Sequence, residues 1–348
     1  MGWCGRTDLF KRALCLGIAL CVLALVACRR DSEYRRVVVY VSVDQTYAEP
    51  VLRAYAERSG VRVDAIYDVE AAKTTGLVNR LIAERERPQA DVFWSGEFAQ
   101  TVLLQHAEVL QPYASPEAES IPDGMKDPDA YWTGFLGRAR VLLINTDRLP
   151  VTQAPASIFD LLDERWVGKE IGLAYPLFGT TATHAAALYA ALGPEEARGY
   201  FSALQGKGVR VLDGNAAVRD LVARGDLTLG LTDTDDACVA IKSGAPVEAV
   251  FLDQDVGGLG TLVIPNTVAM VAGAPHEEEA RALIDYLLSP ETGAVLVSAG
   301  WSHVPLRSLG VEPECFAGQD VRAMDVDLAM VYEWSERAKT DLAQVFIR

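Results

Sequence analysis

Apolar positions along this chain alternate between continuous β-branched runs and stretches spaced at three and four. RVVVYVSV (36–43) is an unbroken run, as expected of a strand buried on both faces. YAEPVLRAYAERSG (47–60) has helical spacing and stops at Gly60, a normal residue just past a helix end. VRVDAIY (61–67) alternates as a strand, 71–86 reads as a helix, ADVFWS (90–95) as a strand and 97–110 as a helix. This βαβαβ order predicts a mostly parallel sheet with right-handed crossovers.

The pattern then restarts. A strand and exit turn are predicted at 138–149, a short helix and turn at 157–169, and a strand at 170–176. The Ala-rich helix 180–193 stops at Gly193-Pro194, and EEARGYFSALQGKG is the next helix. VRVLDG, NAAVRDLVARG, DLTLGLT and DTDDACVAIKSG continue as strand, helix, strand and helix. GTLVIPNTVAMVAG (260–273) predicts a long strand crossing back, followed by one long helical stretch and a helical C-terminus. Two α/β lobes joined by strands near 138–144 and 260–272 are expected, with a ligand cleft at the strand ends between them. The expected boundaries are 37–138 with 261–303 for the first lobe, and 139–260 with 304–348 for the second.

The first 36 residues read as an address. Arg6, Lys11 and Arg12 precede ALCLGIALCVLALVA, which is short for a membrane span. The stretch Leu25-Val26-Ala27-Cys28 resembles a bacterial lipobox, in which the cysteine becomes the lipidated first residue. Residues 1–27 are thus expected to be a lipoprotein signal peptide and 28–36 a spacer, with the mature chain held to the cell envelope on the periplasmic side. Loss of 1–27 removes three bases (Arg6, Lys11, Arg12) and one acid (Asp8), so the formal charge of −16 becomes −18. That charge disfavours nucleic acid, whose backbone has the same sign. Of the six cysteines, only Cys238 and Cys315 remain beyond Cys28. They are expected as buried thiols, with pairing in an oxidising compartment as the alternative.

The strand ends supply candidate site residues. The first lobe offers Ser42, Asp44, Trp94, Ser95 and Glu97. The second offers Gly179, Thr180, Thr181, Asn215, Thr232, Asp233, Asp235 and Asp236. Gly179-Thr180-Thr181 opens a helix and suits an anion, because glycine permits close approach and the first-turn N–H groups are free. Thr74, on the Lys73-Thr74-Thr75 helix start, could complement it. Acids in a first helical turn also stabilise the helix by themselves, by about 0.3–1 kcal/mol each. Asp44 and Glu97 at the matching positions of the first lobe argue for a ligand. Asp44, Glu97, Asp235 and Asp236 would suit a hard cation, which wants several oxygens, or an ammonium group beside an aromatic such as Trp94. There is no P-loop, GxSxG, HExxH or strand-following GxGxxG, and the four histidines show no ligand spacing. Nothing argues for an enzyme.

The lipobox, VVVYVSVDQTYAEPVLRAYAERSGVRV, ADVFWSGE, GRARVLLINTDRL, RWVGKEIGLAYP and GTLVIPNTVAMVAGAPHEEEARALIDYLLSPETG together resemble a solute-binding protein of a bacterial ABC importer. The resemblance is to the ferric-iron-binding branch, which also holds thiamine and aminoethylphosphonate binders, and it runs from Val37 to Pro305. It implies a two-lobed periplasmic-binding-protein fold that closes on its ligand, and a monomer that delivers cargo to a permease and its ATPase. In iron-binding members two adjacent tyrosines follow the strand that is LTLGLT here; their places hold Thr234 and Asp235. The family's histidine falls on Asp44, and its glutamate near Gly96, one place from Glu97. The anion positions survive in kind as Gly179, Thr180 and Asn215, with Thr232 where asparagine is usual. Two cargoes are therefore expected: a metal such as ferric iron with a synergistic, phosphate-like anion, or a small organic zwitterion such as an aminophosphonate or phosphorylated compound. No resident cofactor is implied.

Overall fold

The computed structural model describes residues 35–68 and 75–347. Cys28, the leader, the first part of the spacer, Lys73 and Thr74 lie outside the described residues.

Among the described residues eight strands form one path in the order β2-β1-β3-β10-β5-β8-β6-β7, with β4 (Leu110–Gln111), β9 and β11 attached at its sides. In the first half β1 (Arg36–Val41), β2 (Arg62–Tyr67) and β3 (Val92–Ser95) run parallel, and β10 (Val263–Val271) pairs antiparallel with β3. In the second half β6 (Ile171–Ala174), β7 (Arg210–Leu212) and β8 (Leu229–Asp233) run parallel. The strand common to both is β5 (Thr133–Asn145). Its residues up to Ala139 pair with β10; from Arg140 onward they pair with β8, and from Leu142 also with β9 (Val247–Val250). The pairing changes partner between Ala139 and Arg140.

Helices cover both faces. In the first half α1 (Gln45–Ser59), α2 (Thr75–Ala83) and α3 (Phe98–His106) follow the strands. In the second, α4 (Gly179–Leu192), α5 (Pro194–Lys207), α6 (Asn215–Ala223) and α7 (Thr234–Lys242) do so. The continuous run of β1 splits as its pleat requires. Val37, Val39 and Val41 face α1, α8 and α9, while Val38 and Tyr40 face α2 and α3.

Several expectations are corrected. The long helical stretch after β10 is two helices, α8 (Glu277–Leu288) and α9 (Pro290–Ser298). Pro290 has no N–H to continue the ladder, and the Ser289 hydroxyl accepts from Thr292 N at 3.2 Å to cap the new helix. The helix expected at 157–169 is a 3₁₀ turn, Ile158–Leu162, closed by a capping box of Ser157 and Asp160. Strand β5 begins at Thr133, earlier than its apolar run suggests. Cys238 and Cys315 are joined as a disulfide, with Cα atoms 5.6 Å apart, and are not separate thiols.

After α9 the chain forms β11 (Val304–Pro305), which pairs with Gly137 and Leu136 on the first-half side of β5. Leu306 and Leu309 pack against the first-half core, whereas Phe316 packs in the second. The last helix, α10 (Leu328–Val345), then lies on α4 and α5 and also touches α3.

Candidate functional site

A cleft of about 1080 Å³ opens where the two halves meet. Its floor is the crossing region. Arg138 on β5, Asn266 on β10, and Trp301 and His303 beside β11 all line it. Ser302 fixes His303 in place: its hydroxyl donates to the Gly137 carbonyl at 2.7 Å and accepts from Gly137 N at 3.2 Å.

The walls come from strand ends. In the first half, Ser42 and Ser95 build the turns at the ends of β1 and β3. The Ser95 hydroxyl donates to the Glu97 carbonyl at 2.7 Å, and the Ser42 hydroxyl accepts from Gly96 N at 3.2 Å. These bonds set Asp44 and Glu97 on the wall. In the second half, Gly179 and Thr180 begin α4, and Asp235 stands in the first turn of α7. Gly179 adopts φ 55°, and a Cβ there would meet nothing within 4 Å. It is the left-handed backbone and not crowding that suits glycine.

Arg138 organises the charge. Its Nη1 lies 3.3 Å from Asp235 Oδ2, and its Nη2 donates to the Gly96 carbonyl at 3.0 Å. Burial pulls the guanidinium pKa down, but Asp235, Asp233, Glu97 and Asp44 together outweigh it and hold the cation charged. Burial likewise pushes the Asp235 carboxyl up to about 6; Arg138 opposes this, and Asp233 and Asp236 add to it. Glu97 is also raised by burial, against the pull of Arg138. His303 is lowered to about 4 by burial, with Lys242 and Arg138 adding to the effect, so the imidazole is neutral.

Four buried polar atoms of cleft-lining residues have no partner among the described residues: Gln100 Oε1, Asp235 Oδ1, Asn266 Oδ1 and His303 Nδ1. A buried polar atom left unpaired costs about 1–3 kcal/mol, so four unpaired acceptors on residues that line one cleft suit a ligand that brings donors.

The pattern of the bacterial extracellular solute-binding protein family matches residues 87–328. The chain belongs to that family. The probable ABC transporter periplasmic-binding protein of Sinorhizobium fredii is 29% identical to it over 290 residues, covering 73% of this chain and 74% of that one. The putative 2-aminoethylphosphonate-binding periplasmic protein of Salmonella typhi is 28% identical over 237 residues, 67% of each chain. A Trichodesmium protein solved in complex with iron and citrate ligands has the same two-lobed fold. It superposes with a TM-score of 0.79 over 90% of this chain and 100% of that one, at 22% identity.

In this solute-binding protein the residues singled out from sequence separate into three groups. Ser42, Asp44, Glu97, Gly179, Thr180 and Asp235 line the cleft. Trp94 and Ser95 are fully buried and do not face it. On β3, Trp94 shares a face with Val92, and it packs edge-on against Trp301 at 5.9 Å. The tryptophan that lines the cleft is therefore Trp301, along with Tyr47, Phe178 and Tyr332. Thr181, Asn215, Thr232 and Asp233 lie behind the wall, bonded to one another and to Arg140. Asp236 pairs with Arg219 at 3.1 Å and does not join the cleft. The four carboxylates offered as metal ligands do not converge: among the described residues no three His, Cys, Asp or Glu groups could hold a metal ion.

Sequence reading missed Arg138, Asn266, Trp301 and His303, and the whole contribution of α10, whose Tyr332, Glu336 and Lys339 line one side. A signal for the arginines exists. Two charged residues at alternate positions of an otherwise apolar strand are buried charges that need partners.

Proposed function

We propose that this protein is the cargo-binding lipoprotein of an ABC importer, tethered through Cys28, and that its cargo is a small organic zwitterion with a primary ammonium group. The observation that carries the reading is the set of unpartnered acceptors on cleft-lining residues, Gln100 Oε1, Asp235 Oδ1, Asn266 Oδ1 and His303 Nδ1, of which one ammonium could satisfy three. An ammonium has three N–H donors and no acceptor. A neutral His303 accepts through Nδ1, and Asp235 supplies the charge. Glu97 and Asp44 keep this end of the cleft acidic, and Trp301 offers a ring face.

The acidic end of the ligand fits the start of α4. The first-turn N–H groups of a helix have no intrahelical partner, and Gly179 and Thr180 bring theirs to the cleft. Arg138 and Lys339 add positive charge along the same space. The kinship with a putative 2-aminoethylphosphonate-binding protein fits this chemistry. The protein is a carrier and not an enzyme. It works as a monomer on the periplasmic side of a membrane and delivers to a permease driven by an ATPase.

A second reading, ferric iron held by Asp44, Glu97 and Asp235, draws on the Trichodesmium protein with iron and citrate. Like the ammonium of the first reading, the metal would sit beside the fixed charge of Arg138. Native mass spectrometry of residues 29–348, purified without chelators, separates the two. An organic adduct containing nitrogen, displaced by added 2-aminoethylphosphonate or another amino acid-like zwitterion, supports the proposal. A metal-sized adduct lost on chelation overturns it.

A further inference from the structure

Arg140 stands two residues beyond Arg138 on β5 but behind the cleft wall, 3% exposed. Its Nη1 donates to Asp233 Oδ1 at 2.6 Å, and to Thr180 Oγ1 and Asn215 Oδ1 at 3.2 Å each. The other Asp233 oxygen, Oδ2, accepts from Thr180 Oγ1 at 2.6 Å and from Asn215 Nδ2 at 2.9 Å. One carboxylate thus receives a guanidinium, a hydroxyl and an amide, gathered from β5 and from the first turns of α4 and α6.

Two further observations show that this is more than a local ion pair. Asp233 is the N-cap residue of α7, the place where a carboxylate ordinarily caps its own helix, yet its side chain makes no cap bond. It turns instead to the starts of two other helices. And the donors outnumber what it accepts: Nε and Nη2 of Arg140 are buried with no partner among the described residues. A carboxylate offers two oxygens, whereas a tetrahedral oxyanion offers four.

We propose that Asp233, Arg140, Thr180 and Asn215 form an oxyanion site that the chain fills with its own carboxylate. Removal of that carboxylate converts it into a binding site for a free tetrahedral oxyanion. The native protein therefore takes its cargo without a co-bound anion at this position. Asp233, Arg140 and Asn215 lie behind the wall, and Thr180 joins them to the cleft.

The test uses the chain from residue 29, with inorganic phosphate as the probe at matched ionic strength. Ligands that bind only the folded state raise its melting temperature saturably. Asp233→Ala is expected to melt lower than the native chain and to regain much of the loss as phosphate is added. The native chain and Asp233→Asn, which still fills the space, should show little shift over that range. The gain should vanish in Asp233→Ala/Thr180→Val. Three outcomes overturn the proposal: Asp233→Ala shows no phosphate-dependent shift beyond the native chain; the native chain shifts as strongly; or Asp233→Ala and Asp233→Ser both fail to fold even when refolded in phosphate. The last would make the carboxylate a partner of Arg140 that no free anion replaces.

Discussion

Asp235 on α7 and Arg138 on β5 meet at 3.3 Å, and this contact ties the start of a second-half helix to the strand shared by both halves. Oδ2 meets the arginine, while Oδ1 is buried without a hydrogen-bond partner among the described residues. A ligand donor that reached Oδ1 would complete the pair.

This gives a pH dependence of defined sign. The folded protein holds the Asp235 carboxyl at about 6, above its ordinary 3.8. A raised acid binds its proton more tightly when folded, so stability falls as pH rises through that window, and the full penalty is present above it. Glu97 and Asp236 are raised as well and add the same sign. Thermal melts across the window should show the fall, and Asp235→Asn should flatten it in part. Affinity for an aminophosphonate probe should run the opposite way and strengthen as Asp235 ionises, as titration calorimetry at several pH values would register.

Asp235→Asn at neutral pH is expected to weaken that probe by about 1.5–3 kcal/mol, the range for hydrogen bonds to charged groups. His303→Phe removes a neutral acceptor and should cost about 1 kcal/mol. Circular dichroism unchanged from the native chain, with affinity lost, would be the expected pair of results. Affinity retained in both variants would place the ligand elsewhere.

Arg140→Met leaves the Asp233 carboxylate buried with no counter-charge. Breaking a buried pair in this way costs about 3–5 kcal/mol. Urea unfolding should show that loss, and Arg140→Met/Asp233→Asn should be less destabilised than the sum of its single variants.

The disulfide joins residues separated by 77 positions and pins α7 to the segment before α10. Reduction, or Cys315→Ser, should lower unfolding free energy by about 2–4 kcal/mol. Denaturant curves with and without reductant measure it. Since Cys238 lines the cleft, the reduced protein should also bind the probe more weakly.

The alternation of elements was legible because burial on two faces demands continuous apolar runs, as in β1, and because Gly60 and Gly193 mark helix ends. The start of β5 was not: Thr133-Gly134 carries no apolar pattern, and pairing with β10 makes the strand. Asp44, Glu97, Gly179, Thr180 and Asp235 could be found because strand ends meet a cleft in such folds. Trp94 misled because the chain does not state which way a residue faces on a strand buried on both sides. Trp301, His303 and α10 were invisible for a different reason. They reach the cleft through the last return of the chain, a long-range packing that no local pattern encodes. The disulfide likewise required knowing that residues 77 apart come together.

The change of partner along β5 has a mechanical meaning. Arg138 pairs in register with Ile264 of the first half, and Arg140 with Asp233 of the second. The chain also crosses between the halves before β10 and after β11, and a rotation of one half against the other would be shared among these crossings. A group at the crossings would travel less in such a rotation than one on the rim such as Phe178, 71% exposed. Arg138, at one of these crossings, would be presented much alike whether the cleft is wide or narrow. A ligand can moor to it early, before the distant walls arrive.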